Sequence, residues 1–244
     1  MSQSAPIVPS PHLRAVWSAE WGLPAHAMDD LLHRGITRTY SRGSSILPQG
    51  AVRNTVFFLL HGEVSISVFL PDGRRILCGL YQPGTIFGFP LVDTERPRWS
   101  AADAFTEATL SLVARRDFEE ILSRLPAATV MGFFNRILMR QARFAMRLLH
   151  CLVLDLPGRL ALTLLDLAHT FGQAGDRGTE IRLPITHELL AEMVGASRER
   201  VSKAMAEFAA QGWISYRRGQ IVLKEPQRLE HAAQPRAMPI APQA

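Results

Sequence analysis

Two helical patterns separated by only Gly195, Ala196 and Ser197 constrain this chain more than any other feature of its sequence. In the stretch LPITHELLAEMVGASRERVSKAMAEFAAQGWISYRRGQIVL, Thr186 offers a side-chain oxygen to cap a helix start. Glu188 stands favourably in the first turn, and Gly195 ends the helix after Val194. Ser197 caps a second helix that runs to about Gln211 and stops at Gly212. So short a connection is what a helix-turn-helix requires. The following WISYRRGQIVL reads as two short strands around a turn of Arg217, Arg218, Gly219 and Gln220. That hairpin is a wing, which makes residues of about 184 to 224 a winged helix-turn-helix.

At about 100° per residue the second helix has two distinct sides. Arg198, Glu199, Ser202, Lys203 and Ala206 share an arc of roughly 140°, and Val201, Ala204, Met205 and Phe208 occupy the opposite, core-facing side. A polar arc in the first two turns of the second helix is where such motifs present side chains to the DNA major groove. There Arg donates two hydrogen bonds to guanine, Glu accepts from cytosine, and Lys contacts guanine or phosphate. Arg198, Glu199, Ser202 and Lys203 are therefore the expected base readers. Thr186, His187, Arg200, Arg217 and Arg218 are the expected phosphate contacts, which add affinity but no sequence information. The competing reading makes the polar arc and the paired arginines ordinary solvated surface.

Upstream, from about Ile36 to Val113, β-branched and aromatic runs alternate with turn signals, as in TVFFLLHGEVSISVFL and QPGTIFG, which describes an all-β unit. Pro71-Asp72-Gly73 should join two antiparallel strands, with Val64, Ile66 and Val68 alternating onto one face of the first. After Asp117 the pattern turns helical: a short helix at Phe118 to Leu122, then a long one entered at Pro126 and ending near Leu152. Heptad spacing places Met131, Leu138, Ala145 and Leu152 at one seam position of that helix and Phe134, Gln141 and Leu148 at the other. The seam predicts a homodimer; packing of the helix on its own β unit is the alternative. Pro157 and Gly158 break the helix, Arg159 to about Thr170 form the next, and GQAGDRGTE reads as an exposed loop. The Pro-, Ala-, Ser- and Gln-rich ends, residues 1–12 and 227–244, are expected to be flexible tails.

Composition narrows the function classes. A chain of 244 residues, 47% hydrophobic and 20% charged, can bury one large core or two ordinary ones. No apolar run approaches the roughly 20 residues needed to cross a bilayer, so no membrane partner is expected. The two cysteines, Cys78 and Cys151, and an N-terminus without a secretory pattern point to a reducing cytoplasm. A net charge of +5 permits an acidic partner without identifying one. The 8 histidines are dispersed, with no His-x-His pair in the β region, which argues against a metal-dependent enzyme on a jelly-roll scaffold. A nucleophile elbow and a phosphate loop are also missing. No catalytic residue, metal site or obligatory cofactor is expected; haem at Cys78 is left open.

In its order of parts the chain resembles the Crp/Fnr family of regulators over about residues 25 to 226. The resemblance is carried by GEVSISVFLPDGRRIL and QPGTIFG, by the long helix, and by ITHELLAEMVGASRERVSKAMAEFAAQGWIS. Gly195, Ser197-Arg198-Glu199, Val201 and Gly212-Trp213-Ile214 stand at that family's spacings. It implies an α+β chain in three parts: a β-roll (jelly-roll-like), cyclic nucleotide-binding-like effector domain at 13–125, a long dimerisation helix at 126–153 and a winged helix-turn-helix at 154–226. It implies a homodimer reading a palindromic site in double-stranded DNA, and it makes the 172–180 loop a contact for RNA polymerase. Lys203 stands where the family usually has Arg, so bidentate contact to guanine is lost there.

The effector region departs further from the family pattern. Its cyclic-AMP binders carry an acidic residue after the Gly of the IFG turn and an Arg-Ser pair about ten residues on; here Phe89 follows Gly88 and the pair is Arg98-Trp99. The long-helix positions that meet adenine are Phe144 and Ala145, which supply no hydroxyl. Gly88, Phe89, Arg98, Trp99 and Phe144 are thus the expected lining of a pocket for an effector other than cyclic AMP. Two cysteines are too few for the four-thiolate cluster of the iron–sulfur branch. A ligand-sensing module with little DNA binding is the alternative on the same architecture.

Overall fold

The computed structural model describes residues 10–51, 54–89, 98–217 and 219–234, without the side chains of 11, 12, 143, 144, 147, 148 and 150–152. The chain divides into two compact units, residues 1–142 and 143–244.

The first unit opens with two helices that strand-rich composition does not announce, α1 (Pro11–Trp21) and α2 (Ala25–Arg34). Ser10 caps α1 by accepting from Leu13 N at 3.2 Å, and Leu13, Trp17 and Trp21, one turn apart, are all buried. The strands that follow are β1 (Ile36–Tyr40), β2 (Ser45–Leu47), β3 (Thr55–His61), β4 (Val64–Phe69), β5 (Arg75–Tyr81), β6 (Ile86–Phe87), β7 (Ala101–Ala104) and β8 (Ala108–Ala114). They form two antiparallel sheets, β1-β8-β3-β6 and β2-β7-β4-β5. Phe57, Leu59 and Leu110 of one sheet share a core with Val64, Ile66 and Ala102 of the other. The turn at Pro71-Asp72-Gly73 closes the β4–β5 hairpin, with Gly73 at φ +83.

The outer face of β3 is buried too. Val56 and Phe58 share a cluster with Trp17, Met28 and Phe118, residues of α1, α2 and α3 (Arg115–Ser123). Burial on both faces explains why β3 is a near-continuous apolar run rather than an alternation. β4 presents the converse case. Ser65 and Ser67 point away from the sheet–sheet core yet are buried, because Arg75 Nε donates to Ser67 Oγ (2.8 Å) and Arg75 Nη2 to Ser65 Oγ (3.2 Å). Asp103 balances that guanidinium at 3.6 Å.

The long helix, α4 (Ala127–Val153), has two apolar faces. Phe133 and Ile137 are buried in the cluster with α1, α2 and α3, and Arg136 Nη1 donates to the Ala19 carbonyl at 2.7 Å, one of the acceptors that the end of a helix leaves open. On the other face Met131, Leu138, Ala142, Ala145, Met146, Leu149 and Val153 are all exposed within the chain. At 100° per residue they fall within an arc of about 100°. Of the expected seam, Met131, Leu138 and Ala145 lie on this stripe and Gln141 is exposed at its margin. Phe134 lies at the same margin, half-buried, and meets the Phe133 ring at 5.6 Å. The side chains of Leu148 and Leu152 lie outside the described residues.

In the second unit, α5 (Leu156–Phe171) starts at Asp155, whose Oδ1 accepts from Gly158 N at 3.0 Å. Pro157 and Gly158 thus occupy its first turn, where a missing N–H costs nothing. The GQAGDRGTE segment is not a loop but a hairpin, β9 (Gly172–Gly175) and β10 (Gly178–Ile181), joined at Asp176-Arg177. Its glycines disfavour a strand by propensity, but β10 pairs with β12 (Gln220–Leu223), which pairs in turn with β11 (Ile214–Arg217). The wing is therefore the edge of a sheet ordered β11-β12-β10-β9. The expected tails are shorter than predicted. Pro11 already begins α1, and Pro226–Ala232 form α8, whose Leu229 is fully buried and whose Ala232 carbonyl lies 2.9 Å from where a Cβ on Gly158 would stand. PQRLEHA holds one strong apolar anchor, too little to be recognised without its partner helix. Residues 1–9 and 235–244 lie outside the described residues. No helix of the described residues is long and apolar enough to cross a membrane.

Candidate nucleic-acid interface

The turn between α6 (His187–Val194) and α7 (Arg198–Ala210) has a geometry its own residues dictate. Thr186 Oγ1 accepts from Leu189 N (3.1 Å) and Ser197 Oγ from Arg200 N (3.4 Å), so each helix begins at a side-chain cap. Gly195 takes φ +64 and its N–H bonds the Ala191 carbonyl. Nothing stands within 4 Å of where its Cβ would be, so conformation and not space demands glycine there. Behind the turn Leu190, Val194, Val201, Met205 and Phe208 are buried, and Trp213 stacks on Phe208 with ring centroids 5.2 Å apart. The wing is tied to the same point, since Lys224 N and Glu225 N both donate to the Trp213 carbonyl.

On the outer side of α7, Arg198, Glu199, Arg200 and Lys203 are exposed. Ser202 differs. It is half-buried, and its Oγ lies 2.8 Å from Nδ1 of His187, whose ring meets Tyr216 of β11 edge-on at 5.2 Å. His187 is thus drawn between α6, α7 and the wing, whereas Thr186 stays exposed beside it. Burial, and secondly the positive charge of Arg198, hold the His187 imidazole below its ordinary pKa. The native state therefore prefers this ring neutral. The corresponding stability is complete above the unfolded value of 6.5 and is lost as pH falls through the lower folded value. Thermal unfolding followed from about pH 7.5 to pH 5 should show a decline that His187→Gln reduces; an undiminished decline in the variant would dismiss the linkage.

In the wing, Arg217 Nε donates to Gln220 Oε1 (2.6 Å), Gln220 Nε2 to Glu180 Oε2 (3.0 Å), and Arg182 Nη2 to the same oxygen (2.7 Å). The Arg182 guanidinium holds the Glu180 carboxyl below the usual range against the opposing effect of burial. This chain of bonds orients Arg217, and sequence spacing did not reveal it, because residue 180 meets 220 only across the β10–β12 pairing. Arg177, at the β9–β10 turn, adds a second guanidinium to an open groove of about 180 Å³ lined also by Ser215, Tyr216, Arg217, Gln220 and Val222. Arg218 lies outside the described residues.

Of the residues expected to line an effector pocket, the structure brings Arg98 to Gly88 and turns Phe89 and Trp99 in other directions. Arg98 is only 8% exposed, and its Nη2 donates to the carbonyls of Thr55 (3.1 Å) and Gly88 (3.0 Å). Gly88 itself holds φ +85, with a Cβ position 2.7 Å from the Phe57 ring. Phe89 turns into the aromatic cluster, with ring centroids 5.8 Å from Trp21, 5.6 Å from Phe133 and 5.9 Å from Phe118. Trp99 is 51% exposed, and the Phe144 side chain lies outside the described residues. An aromatic residue following Gly88 is thus accounted for by packing among α1, α3 and α4. Sequence reasoning passed over Arg140, whose guanidinium lies 4.1 Å from the Tyr81 ring centroid and 5.5 Å from that of Trp21. Among the described residues no group of three or more His, Cys, Asp or Glu could hold a metal ion.

Comparison with known proteins matches residues 37–125 to a cyclic nucleotide-binding domain and residues 158–232 to a Crp-like helix-turn-helix domain. The chain is 31% identical over 195 residues to the CRP-like cAMP-activated global transcriptional regulator of Mycobacterium tuberculosis, a match covering 80% of this chain and 86% of that protein. The structure of FixK2 from Bradyrhizobium japonicum superposes with a TM-score of 0.70 at 24% identity, over 83% of this chain and 99% of that one. A CRP-family transcriptional regulator from Thermus thermophilus superposes with a TM-score of 0.66 at 25% identity, over 80% and 96%.

Proposed function

Because this chain belongs to the Crp/Fnr family of DNA-binding transcription regulators, we propose that it works as a homodimer reading a two-fold symmetric DNA site, under an effector other than cyclic AMP. The observation that carries this reading is the exposed arc of Arg198, Glu199 and Lys203 at the start of α7, directly after a turn set by Gly195. Thr186, Arg200 and Arg217 supply phosphate contacts, with Arg217 pre-oriented by Gln220. The apolar stripe on α4 supports pairing of two copies, since water contact with so much contiguous apolar surface is unfavourable by about 25 cal/mol per Å². The α5-proximal hairpin at 172–180 serves as the RNA polymerase contact, and the protein acts in the cytoplasm without catalysing a reaction of its own. Selection of the full-length protein on randomised duplexes is the test. It should recover a palindrome with half-sites about one helical turn apart, roughly 10 bp. An enriched site without two-fold symmetry would overturn the dimer arrangement.

Relatives from Mycobacterium tuberculosis and Pseudomonas aeruginosa are described as cAMP-activated, yet this chain offers that nucleotide fewer polar partners than the family pattern does. Nη2 of Arg98 is engaged by two carbonyls of its own chain, and by the family resemblance Phe89 stands where cyclic-AMP binders carry the acidic residue for the ribose. Lost hydrogen bonds in a buried site cost about 0.5 to 1.5 kcal/mol each, and more where a charged partner is missing. Two such losses amount to about 1 to 3 kcal/mol, or roughly five- to a hundredfold in affinity at about 1.4 kcal/mol per decade. Isothermal titration should therefore detect no binding at micromolar cyclic AMP; micromolar binding accompanied by tighter operator binding would refute the effector assignment.

A further inference from the structure

We propose that His187 sets the hydrogen-bonding polarity of Ser202, so that protonation of this imidazole changes which base the recognition helix accepts at the position facing Ser202. The inference rests on the DNA-reading role of α7 and deepens it, making His187 a positioning residue rather than a phosphate contact. A serine hydroxyl has one proton to donate and two lone pairs. With the imidazole neutral and its proton on Nε2, Nδ1 accepts the Ser202 hydroxyl proton across the 2.8 Å contact. Ser202 Oγ then offers only lone pairs to the groove, which suit the amino groups of adenine and cytosine. When a proton from solvent makes the imidazole cationic, Nδ1–H donates to Oγ instead. The hydroxyl proton is released toward the groove and suits N7 or O6 of guanine, O4 of thymine or N7 of adenine, but not cytosine, which presents only its amino group there.

Two features make the contact a directed one. The ring is held edge-on against Tyr216 at 5.2 Å while bonded to Ser202, so α7 and β11 confine its orientation. The titratable and charged groups around it are Arg198 on α7, Tyr216 on β11 and its chain neighbour Glu188 on α6. Burial and Arg198 both oppose the charged ring, so the neutral imidazole prevails at neutral pH, and its Nε2–H tautomer is the one that holds Ser202 as an acceptor toward the groove. A DNA phosphate brought to the Thr186 end of α6 opposes Arg198 and moves the switch toward neutral pH.

The test is selection on randomised duplexes at about pH 5.5 and pH 7.5, at equal ionic strength, with the full-length protein and its His187→Phe and Ser202→Ala variants. His187→Phe keeps an aromatic ring on Tyr216 and removes both nitrogens. In the unaltered protein, the base facing Ser202 in each half-site should move on acidification from cytosine toward guanine or thymine, with adenine, which carries both a donor and an acceptor, little affected. The expected change in relative preference is about three- to tenfold, the size of one neutral hydrogen bond. Because it is a ratio taken within one sample, any loss of folded protein at low pH cancels. Both variants should lose the shift and keep the rest of the site. An equal preference at the two pH values, or a shift that survives in either variant, overturns the inference and leaves the DNA-reading role standing. Enrichment of no site at either pH overturns both together.

Discussion

Arg198→Ala should remove most of the protein's sequence discrimination while leaving its fold and its non-specific DNA binding in place. The side chain is exposed, and the α7 core of Val201, Met205 and Phe208 does not depend on it. A bidentate contact to guanine is worth about 1 to 3 kcal/mol of discrimination, and a symmetric dimer makes it twice. The predicted loss in specific affinity is therefore about 30-fold to more than 10⁴-fold. Glu199→Ala should act in the same range at a neighbouring base pair, since a carboxylate accepts from cytosine and cannot be replaced there by a methyl group. Both must be measured at one salt concentration, because phosphate contacts make every affinity steeply salt-dependent. Either variant binding its selected palindrome as tightly as the parent would show that α7 does not read bases through that residue.

The second large effect is expected from Leu138→Asp. Leu138 is 64% exposed within the chain and lies mid-stripe on α4, so in a lone protomer the substitution is a surface change of within about 0.5 kcal/mol. In a dimer sealed by that stripe it buries two unpaired carboxylates, which is strongly unfavourable. Sedimentation should show monomer. Separating two linked half-site readers forfeits an avidity of roughly 10² to 10⁴, and DNA affinity should fall accordingly. The adjacent Ile137→Asp serves as contrast, because Ile137 is buried in the protomer's own core and its replacement should destabilise the fold itself. A fully dimeric Leu138→Asp protein would move the interface off this helix face.

The two α4 neighbours illustrate what was readable beforehand. Heptad spacing put Met131, Leu138, Ala145 and Phe134 on one seam; the first three are exposed along the stripe, and Phe134 at its margin is half-buried against the protomer's own aromatic cluster. A periodic pattern reports that a side is buried, not against what. With two apolar sides on one helix, only the position of Trp21, Phe118 and Phe133 decides which is internal. The effector region depends on the same kind of information. Arg98 reads as a free cation in sequence and is bonded to a carbonyl 43 residues away.

What the sequence by itself determined about this protein is what depends on neighbours within one helical turn. The caps at Thr186 and Ser197, the left-handed Gly195, the opposed faces of α7 and the β4–β5 turn all follow from residues within a few positions of each other. Local sterics and short-range hydrogen bonds are encoded where they act. Tertiary structure alone decided that a glycine-rich segment at 172–178 would become strands, because β12 offers it an edge; that PQRLEHA would be a helix, because α5 receives Leu229; and that Ser202 would face a histidine from another helix. Each of these depends on a partner distant in the chain, and no short-range property of the residues identifies which partner folding will bring there.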